Sequence, residues 1–390
     1  MAKTNNSNTK KPKEDLLLKI ENKTIYRVQE TQRRWRQALS IAEYDKFPDR
    51  TTLYRLYFDI MLDNKLSAVI DLKKDRIQSM EFSIVDSNNE IDEVSTDKFK
   101  SKWFYDFLNA YVETIFWGHS LLQIDSVTDQ NLDAVELIPR QNVKPEFQEY
   151  VENYYDKRGE SYVTPELYPW LIEVGGKRDL GLLKKISPLV LWKKSAIQFW
   201  SEFQEIFGTP IRLGKTTASR AEDKDRFTSF LRDMGSLSYA VLGKGEEIEF
   251  KESNRTDAHA IYLELINFID TEITTLILGA SDNTSSNNGG SLARAQVHEQ
   301  QSAYKTKSDL RNITFYVNDN LIPKLQNLNI LPENIKFRFE EKENIPTADK
   351  VIIDEKLVGI IQSGVFTEDY IKQRYAVELN DITLNDGETE

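Results

Sequence analysis

Two long helical patterns, 186–207 and 253–278, with only residues 208–252 between them, constrain this chain more than any other feature. In the first, Trp192, Ala196, Phe199, Phe203 and Ile206 recur on one face. Ser187, Leu191, Lys194, Gln198, Ser201 and Glu205 recur on another, mostly polar face. Pro188 is tolerable in the first turn, and Gly208 is a natural stop. The second pattern, with Ser253 or Asn254 as N-cap, is about 39 Å long at about 1.5 Å per residue. Its apolar stripe is Ala258, Tyr262, Leu265, Ile266, Ile269, Ile273, Leu276 and Ile277; Asp257, Ala260, Glu264, Asn267, Thr271 and Thr274 make a stripe of small or polar residues. A third helix, 292–322, is expected to end at Pro323, and its first half is nearly all polar, unusual for a helix buried in one monomer. Such helices lack enough partners within a single chain, so closed rings of several copies are expected.

Residues 281–291 read SDNTSSNNGGS: Asp282, Asn283, Thr284, Ser285, Ser286, Asn287, Asn288, Gly289 and Gly290 between two serines. They cannot bury apolar surface, and the expectation is a mobile loop with no lysine or arginine in it.

The 208–252 insert reads as a strand 210–213, a helix 222–234, a strand 239–242, the turn Gly243-Lys244-Gly245 and an alternating strand 247–251. Towards the N-terminus, a basic helical stretch holds RRWRQ at 33–37, and Leu66, Val69, Ile70 and Ile77 mark another helix. Alternation over 80–85 marks a strand. An aromatic helix (Trp103, Phe104, Phe107, Leu108, Tyr111), Gly118 and a strand 120–124 repeat the theme; a turn 125–131 and a strand 135–138 follow. Residues 139–182 are loop-rich with short strands, such as 170–174 before the turn Gly175-Gly176. A strand 335–339 and two helices, one over 348–362 closed by Gly364 and one opened by Thr367, complete a helix-rich α+β chain.

Composition closes several routes to chemistry. With no cysteine there is no disulfide framework or thiol nucleophile, and His119, His259 and His298 stand far apart in no ligand spacing. No apolar run reaches the roughly 18 residues of a membrane span. Residues 1–23 are polar and basic at their start and read as a disordered arm, without the apolar stretch of a secretory signal. The net charge of −12 argues against a domain gripping DNA through a basic stripe, but it suits a surface along which DNA slides. The same acidity serves solubility.

The most tempting motif is GTPIRLGKT, 208–216. A P-loop has four residues between its first glycine and Gly-Lys-Thr, after a strand and before a helix. Here five intervene and a long helix precedes, so a helix stop followed by a strand is the better reading. The rival reading from another class is a nucleotide-binding enzyme using the degenerate GKT at 214–216; a third is a helical virion or regulatory scaffold. Glu246-Glu247 and Glu340-Glu341 read as solvated surface, and no GxSxG elbow exists. Lys184-Lys185 and Lys193-Lys194 read equally as phosphate contacts and as solvated or intersubunit charges.

The order of long helix, α/β insert, long helix, glycine-rich loop and third helix resembles the phage portal fold. The sequence is similar to the Mu-type portal family, most specifically at 181–215, where Trp200, Phe203, Phe207, Gly208, Pro210, Arg212, Gly214 and Lys215 fit W-x-x-F-x-x-x-FG-x-P-x-R-x-GK. Segments 63–85, 111–124 and 275–298 support it, and the resemblance covers roughly 25–375. It implies a wing over 24–182, stem helices over 183–207 and 253–279, a clip over 208–252, a tunnel loop over 280–291, a kinked helix over 292–328 and a crown-like C-terminal region over 329–390. It implies a ring of 12 subunits at one capsid vertex, in the virion and, during assembly, in the host cytoplasm. The implied partners are double-stranded DNA passing without sequence specificity, the terminase large subunit, the major capsid protein and a head–tail connector or adaptor. No catalytic residue, cofactor, metal or membrane is implied. Lys194, Gln198, Glu205, Asp257, Glu264, Asn267 and Thr271 would line the channel.

Overall fold

β1 (Thr9–Lys10) is a two-residue strand inside the stretch expected to be a disordered arm, and it pairs antiparallel with Val127 and Thr128. The structure is a computed structural model that describes residues 9–10, 31–207, 211–217, 220–233, 245–251, 258–280 and 292–340. The expected strand 239–242, the loop 281–291, Asp257 and the C-terminal helices after residue 340 lie outside these residues.

Short capped helices follow. α1 (Gln32–Ala42) starts where the Thr31 hydroxyl accepts the Arg34 N–H. α2 (Thr51–Ile60) leads into α3 (Asn64–Gln78), whose N-cap Asp63 accepts the Leu66 N–H at 3.0 Å. The helical spacing of Leu66, Val69, Ile70 and Ile77 is realised as one buried face. β2 (Phe82–Val85) and α4 (Glu93–Phe99) precede α5 (Lys102–Trp117), in which Trp103, Phe104, Phe107, Leu108, Phe116 and Trp117 are buried. Gly118 stops α5 at φ 86°, where a Cβ would lie 2.1 Å from the Asp179 carbonyl oxygen.

β3 (His119–Thr128) runs four residues further than expected because a bulge at Asp125 absorbs one polar residue without ending the strand. The turn narrows to Asp129 and Gln130, both at positive φ, and β4 (Asn131–Leu137) returns. β5 (Val143–Lys144), β6 (Glu149–Tyr150) and β7 (Glu160–Ser161) form a separate small sheet. β8 (Leu171–Gly175) pairs with the first half of β3, opposite β4.

α6 (Leu183–Phe207) begins three residues before the expected start at 186, so Pro188 lies in the second turn, and the Gln32 side chain donates to its carbonyl at 2.7 Å. β9 (Ile211–Thr216) and β10 (Glu246–Lys251) pair antiparallel beside α7 (Ala221–Asp233). α8 (Ala258–Leu278) returns against α6 and α3. α9 (Leu292–Tyr316) does not stop before Pro323. A π-helical turn, Val317–Leu321, carries it into α10 (Ile322–Asn327), with the Ile322 N–H on the Val317 carbonyl. Proline falls at the second position of α10, where the missing N–H costs little. β11 (Lys336–Phe339) pairs with β2, Phe337 opposite Ile84. The larger core cluster among the described residues is centred on α2, α3, α5 and the inner ends of α6, α8 and α9; a smaller one, Leu121, Ile138, Val143, Tyr150, Tyr162 and Leu171, lies beside the β5–β7 sheet.

Candidate channel elements and subunit-contact face

Lys193 is the electrostatic joint of the long helices. Its ammonium, buried on α6, meets Asp63 at 2.9 Å and Asp270 of α8 at 2.6 Å, so one cation ties α6 to α8 and to the cap of α3. Burial works against the charged form, but the two carboxylates outweigh it and hold the lysine pKa above its ordinary value. Further along, α3 holds α9 in the same way: Lys73 pairs with Asp309, and Arg76 donates to Ser302. Of these, sequence reasoning weighed only Lys193; a carboxylate far along the chain leaves no local signal of its partner.

The faces of α6 differ from expectation at its inner end. Ser187 and Leu191, placed on the polar stripe, are fully buried, because α1, α2 and α8 surround this part of the helix. Ser187 is accommodated by donating to the Leu183 carbonyl at 2.6 Å. On the apolar stripe, Ala196 is buried and Phe203 is half-buried, its ring 6.4 Å from that of Tyr262. Trp192 and Phe199, however, are 53% and 57% exposed. α8 divides likewise: Ile269, Ile273 and Ile277 are buried with Thr274, whereas Ile261, Leu265 and Phe268, spaced at four and three residues, face solvent. Tyr304 and Phe315 on α9 do the same. Single exposed hydrophobics are ordinary; rows of them along one face of neighbouring long helices mark an interaction surface.

The residues expected to line a channel divide by position. Gln198 and Glu205 on α6, and Glu264 and Asn267 on α8, are exposed, and Thr271 is half-buried, donating to the Asn267 carbonyl at 2.8 Å. Gln198 reaches Glu202 at 2.9 Å. Lys194 instead has its charge tied up within the protomer, 2.7 Å from the Asp59 carboxylate and 2.9 Å from that residue's carbonyl.

Gly214, Lys215 and Thr216 lie inside β9, opposite Ile248, Glu247 and Glu246. A strand paired along its length exposes no cradle of N–H groups, and the Lys215 ammonium faces Glu247 at 3.5 Å. A Cβ at Gly214 would meet Phe227 and Leu231 of α7 at 2.5 Å, so glycine serves close helix–strand packing here. Trp200 keeps a buried indole N–H without an acceptor. For Phe207, Gly208, Pro210 and Arg212 the side chains lie outside the described residues.

The titratable groups of the core are structural. His119 Nε2 lies 3.0 Å from Glu173, which also accepts from the Tyr162 hydroxyl at 2.6 Å. Arg140 reaches Glu113 at 2.9 Å and sits over the Trp117 ring at 5.0 Å. Among the described residues no cluster of acidic or histidine side chains could hold a metal ion, and no helix is long and apolar enough to cross a membrane.

Comparison with known proteins agrees with this geometry. Residues 54–377 match the family described as portal protein of Mu bacteriophage. The portal protein of Escherichia phage Mu is 24% identical over 180 residues, covering 44% of this chain and 35% of that protein. A Mu-like prophage protein of Haemophilus influenzae, FluMu gp29, is 25% identical over 154 residues, covering 38% and 29%. The matched stretches thus span about a third of these relatives. Two solved structures share the fold at low identity. A chain from the neck of an empty gene transfer agent particle aligns over 88% of this chain and 98% of its own length, with TM-score 0.56 and 10% identity. A chain from the native gene transfer agent virion gives 0.55 over the same shares, at 11% identity.

Proposed function

Because the chain belongs to the Mu bacteriophage portal family, we propose that it is one subunit of a ring-shaped channel at a capsid vertex, through which double-stranded DNA enters and leaves without sequence specificity. The observation that carries this is the solvent-facing apolar row along α6 and α8, with Trp192, Phe199, Ile261, Leu265 and Phe268 unburied by their own protomer. In a ring, each copy offers one such face to a neighbour and receives another, and rotation closes the circle. Twelve copies are the proposed number; the neck of the native gene transfer agent particle, a chain of which shares this fold, was computed with C12 symmetry.

Packed in this way, the helices turn Gln198, Glu205, Glu264, Asn267 and Thr271 toward the lumen, with Asp257 and the loop 281–291 beside them. Carboxylates and amides repel or weakly bond phosphate, so DNA slides without counterion-releasing contacts that would hold it. Lys194, neutralised by Asp59, is the weakest member of the proposed lining. The subunit supplies no catalytic step and needs no cofactor; ATP hydrolysis belongs to the terminase large subunit docking on the ring. The major capsid protein and a head–tail connector are the other proposed partners, in the virion and, before that, in the host cytoplasm.

Native mass spectrometry at micromolar concentration and physiological salt tests the reading. Closed rings of twelve, or of a neighbouring number, are expected. A population of monomers alone would overturn it.

A further inference from the structure

α3 and α9 stand back to back. Lys73 of α3 pairs with Asp309 of α9, and Arg76 donates to Ser302. Asp71 and Asp75 lie two positions either side of Lys73, and so about half a turn round the helix from it at about 100° per residue. With Ala68 they form an exposed face of α3, edged by Leu72. Arg311 stands in the same relation to Asp309 on α9, and Tyr304 and Phe315, seven positions before it and four after, share its face. The outer faces of the two helices therefore point in opposite directions from one protomer.

The faces also carry opposite charge. On α3, Lys73 is turned to Asp309 and Lys74 to Glu113 at 2.9 Å, while Asp71 keeps only a contact of 3.8 Å with Lys74 and is 67% exposed. On α9, Asp309 is turned inward, so the exposed charges between Tyr304 and Phe315 are Lys305, Lys307 and Arg311. Tyr304 and Phe315 are 74% and 58% exposed. Large rings with an arginine between them are the composition of an energetic centre in a protein contact. A DNA duplex would engage the cations through phosphate but keeps its base faces stacked, leaving the rings nothing to cover. Two complementary faces on opposite sides of one subunit are what a head-to-tail contact requires, whereas a two-fold contact uses one face twice.

We propose that the outer face of α9 in one copy, Tyr304, Arg311 and Phe315, docks on the outer face of α3 in the next copy, with Arg311 against Asp71 and Asp75 and the rings over Ala68 and Leu72. The proposal rests on the ring reading above and adds to it a second, charge-matched contact, separate from the apolar rows of α6 and α8.

The chain has no cysteine, so a pair can be introduced without background. Ser308→Cys, on the α9 face, combined with Ala68→Cys should be linked between copies by a short bis-maleimide, giving a ladder of covalent oligomers on denaturing gels. Either cysteine alone should stay monomeric there. By mass photometry, Arg311→Glu should raise the concentration at which half the protomers are in rings at least about tenfold, and Asp71→Arg with Asp75→Arg should do the same. All three substitutions together should return it to within about threefold of the unaltered chain, which a damaged fold would not do. Rings of the unaltered chain with no ladder from the double-cysteine chain, or no recovery in the triple variant, overturn the proposal and leave the ring reading standing. Rings untouched by Arg311→Glu also overturn it and assign the α9 face to a different protein. An unaltered chain that stays monomeric overturns both.

Discussion

His119 is buried against Glu173, and burial depresses its pKa below the ordinary histidine value, although the carboxylate pulls the other way. Burial raises the Glu173 pKa, but hydrogen bonds from His119 and Tyr162 outweigh it and leave the carboxyl below its usual range. Both groups bind protons more readily in the unfolded chain than in the folded one. Their contributions are therefore present above the unfolded values, about 6.5 for histidine and about 4.3 for glutamate, and are lost as pH falls through the lower folded ones. The melting temperature should fall between about pH 7 and pH 5, and by less in His119→Asn, where the histidine contribution has been removed. An equal fall in both proteins would show that His119 is not the responsible group. Sequence reasoning set this histidine aside as unfit for catalysis. Its partner, on a strand beyond the intervening loops, was invisible.

The turn Val317–Leu321 shows what a local rule misses at the scale of an element. Pro323 reads as a helix stop, yet the helix continues because the hydrogen-bond register changes just before the proline. Asn318, inside that turn, acts as a substitute strand. Its amide donates to the Phe337 carbonyl at 2.9 Å, and its oxygen accepts the Phe337 N–H at 2.8 Å, covering the edge of β11 away from β2. Asn318→Leu should cost about 2–4 kcal/mol in urea unfolding, since both strand groups lose their partners. Asn318→Asp keeps an acceptor for the N–H and should cost less. Equal losses would mean that the side-chain oxygen, the acceptor that Asp keeps, contributes nothing. The strands β2, β3, β4, β8, β9, β10 and β11, the aromatic helix and the long helices were legible from period and composition, because each reflects its own residues' alternation or 3.6-residue spacing. The π turn was not, because the 3.6-residue period does not encode a local change of hydrogen-bond register; the β2–β11 pairing was not, because it joins residues more than two hundred positions apart.

At the scale of the whole molecule, one protomer leaves its long helices half-covered. Phe199→Asp and Phe268→Asp should leave the fold intact, since both rings are more than half exposed. Circular dichroism should be unchanged, and mass photometry should show rings giving way to monomers, since each added carboxylate would be buried in the contact. Rings that persist in the double variant would remove these helices from the subunit contact.

By itself the sequence determined the helix-rich α+β class, the succession of long helix, small insert and long helix, the absence of cysteine and the family resemblance, all of which rest on composition, on neighbouring residues or on short motifs. The tertiary structure alone decided which side of each stripe is buried. On α6 the supposedly polar Ser187 and Leu191 face inward, while Trp192 and Phe199 face outward. Periodicity defines faces on a helix but not what lies against them. That depends on α1, α2 and α8 arriving from distant parts of the chain, with Lys193 bound between Asp63 and Asp270 where they meet.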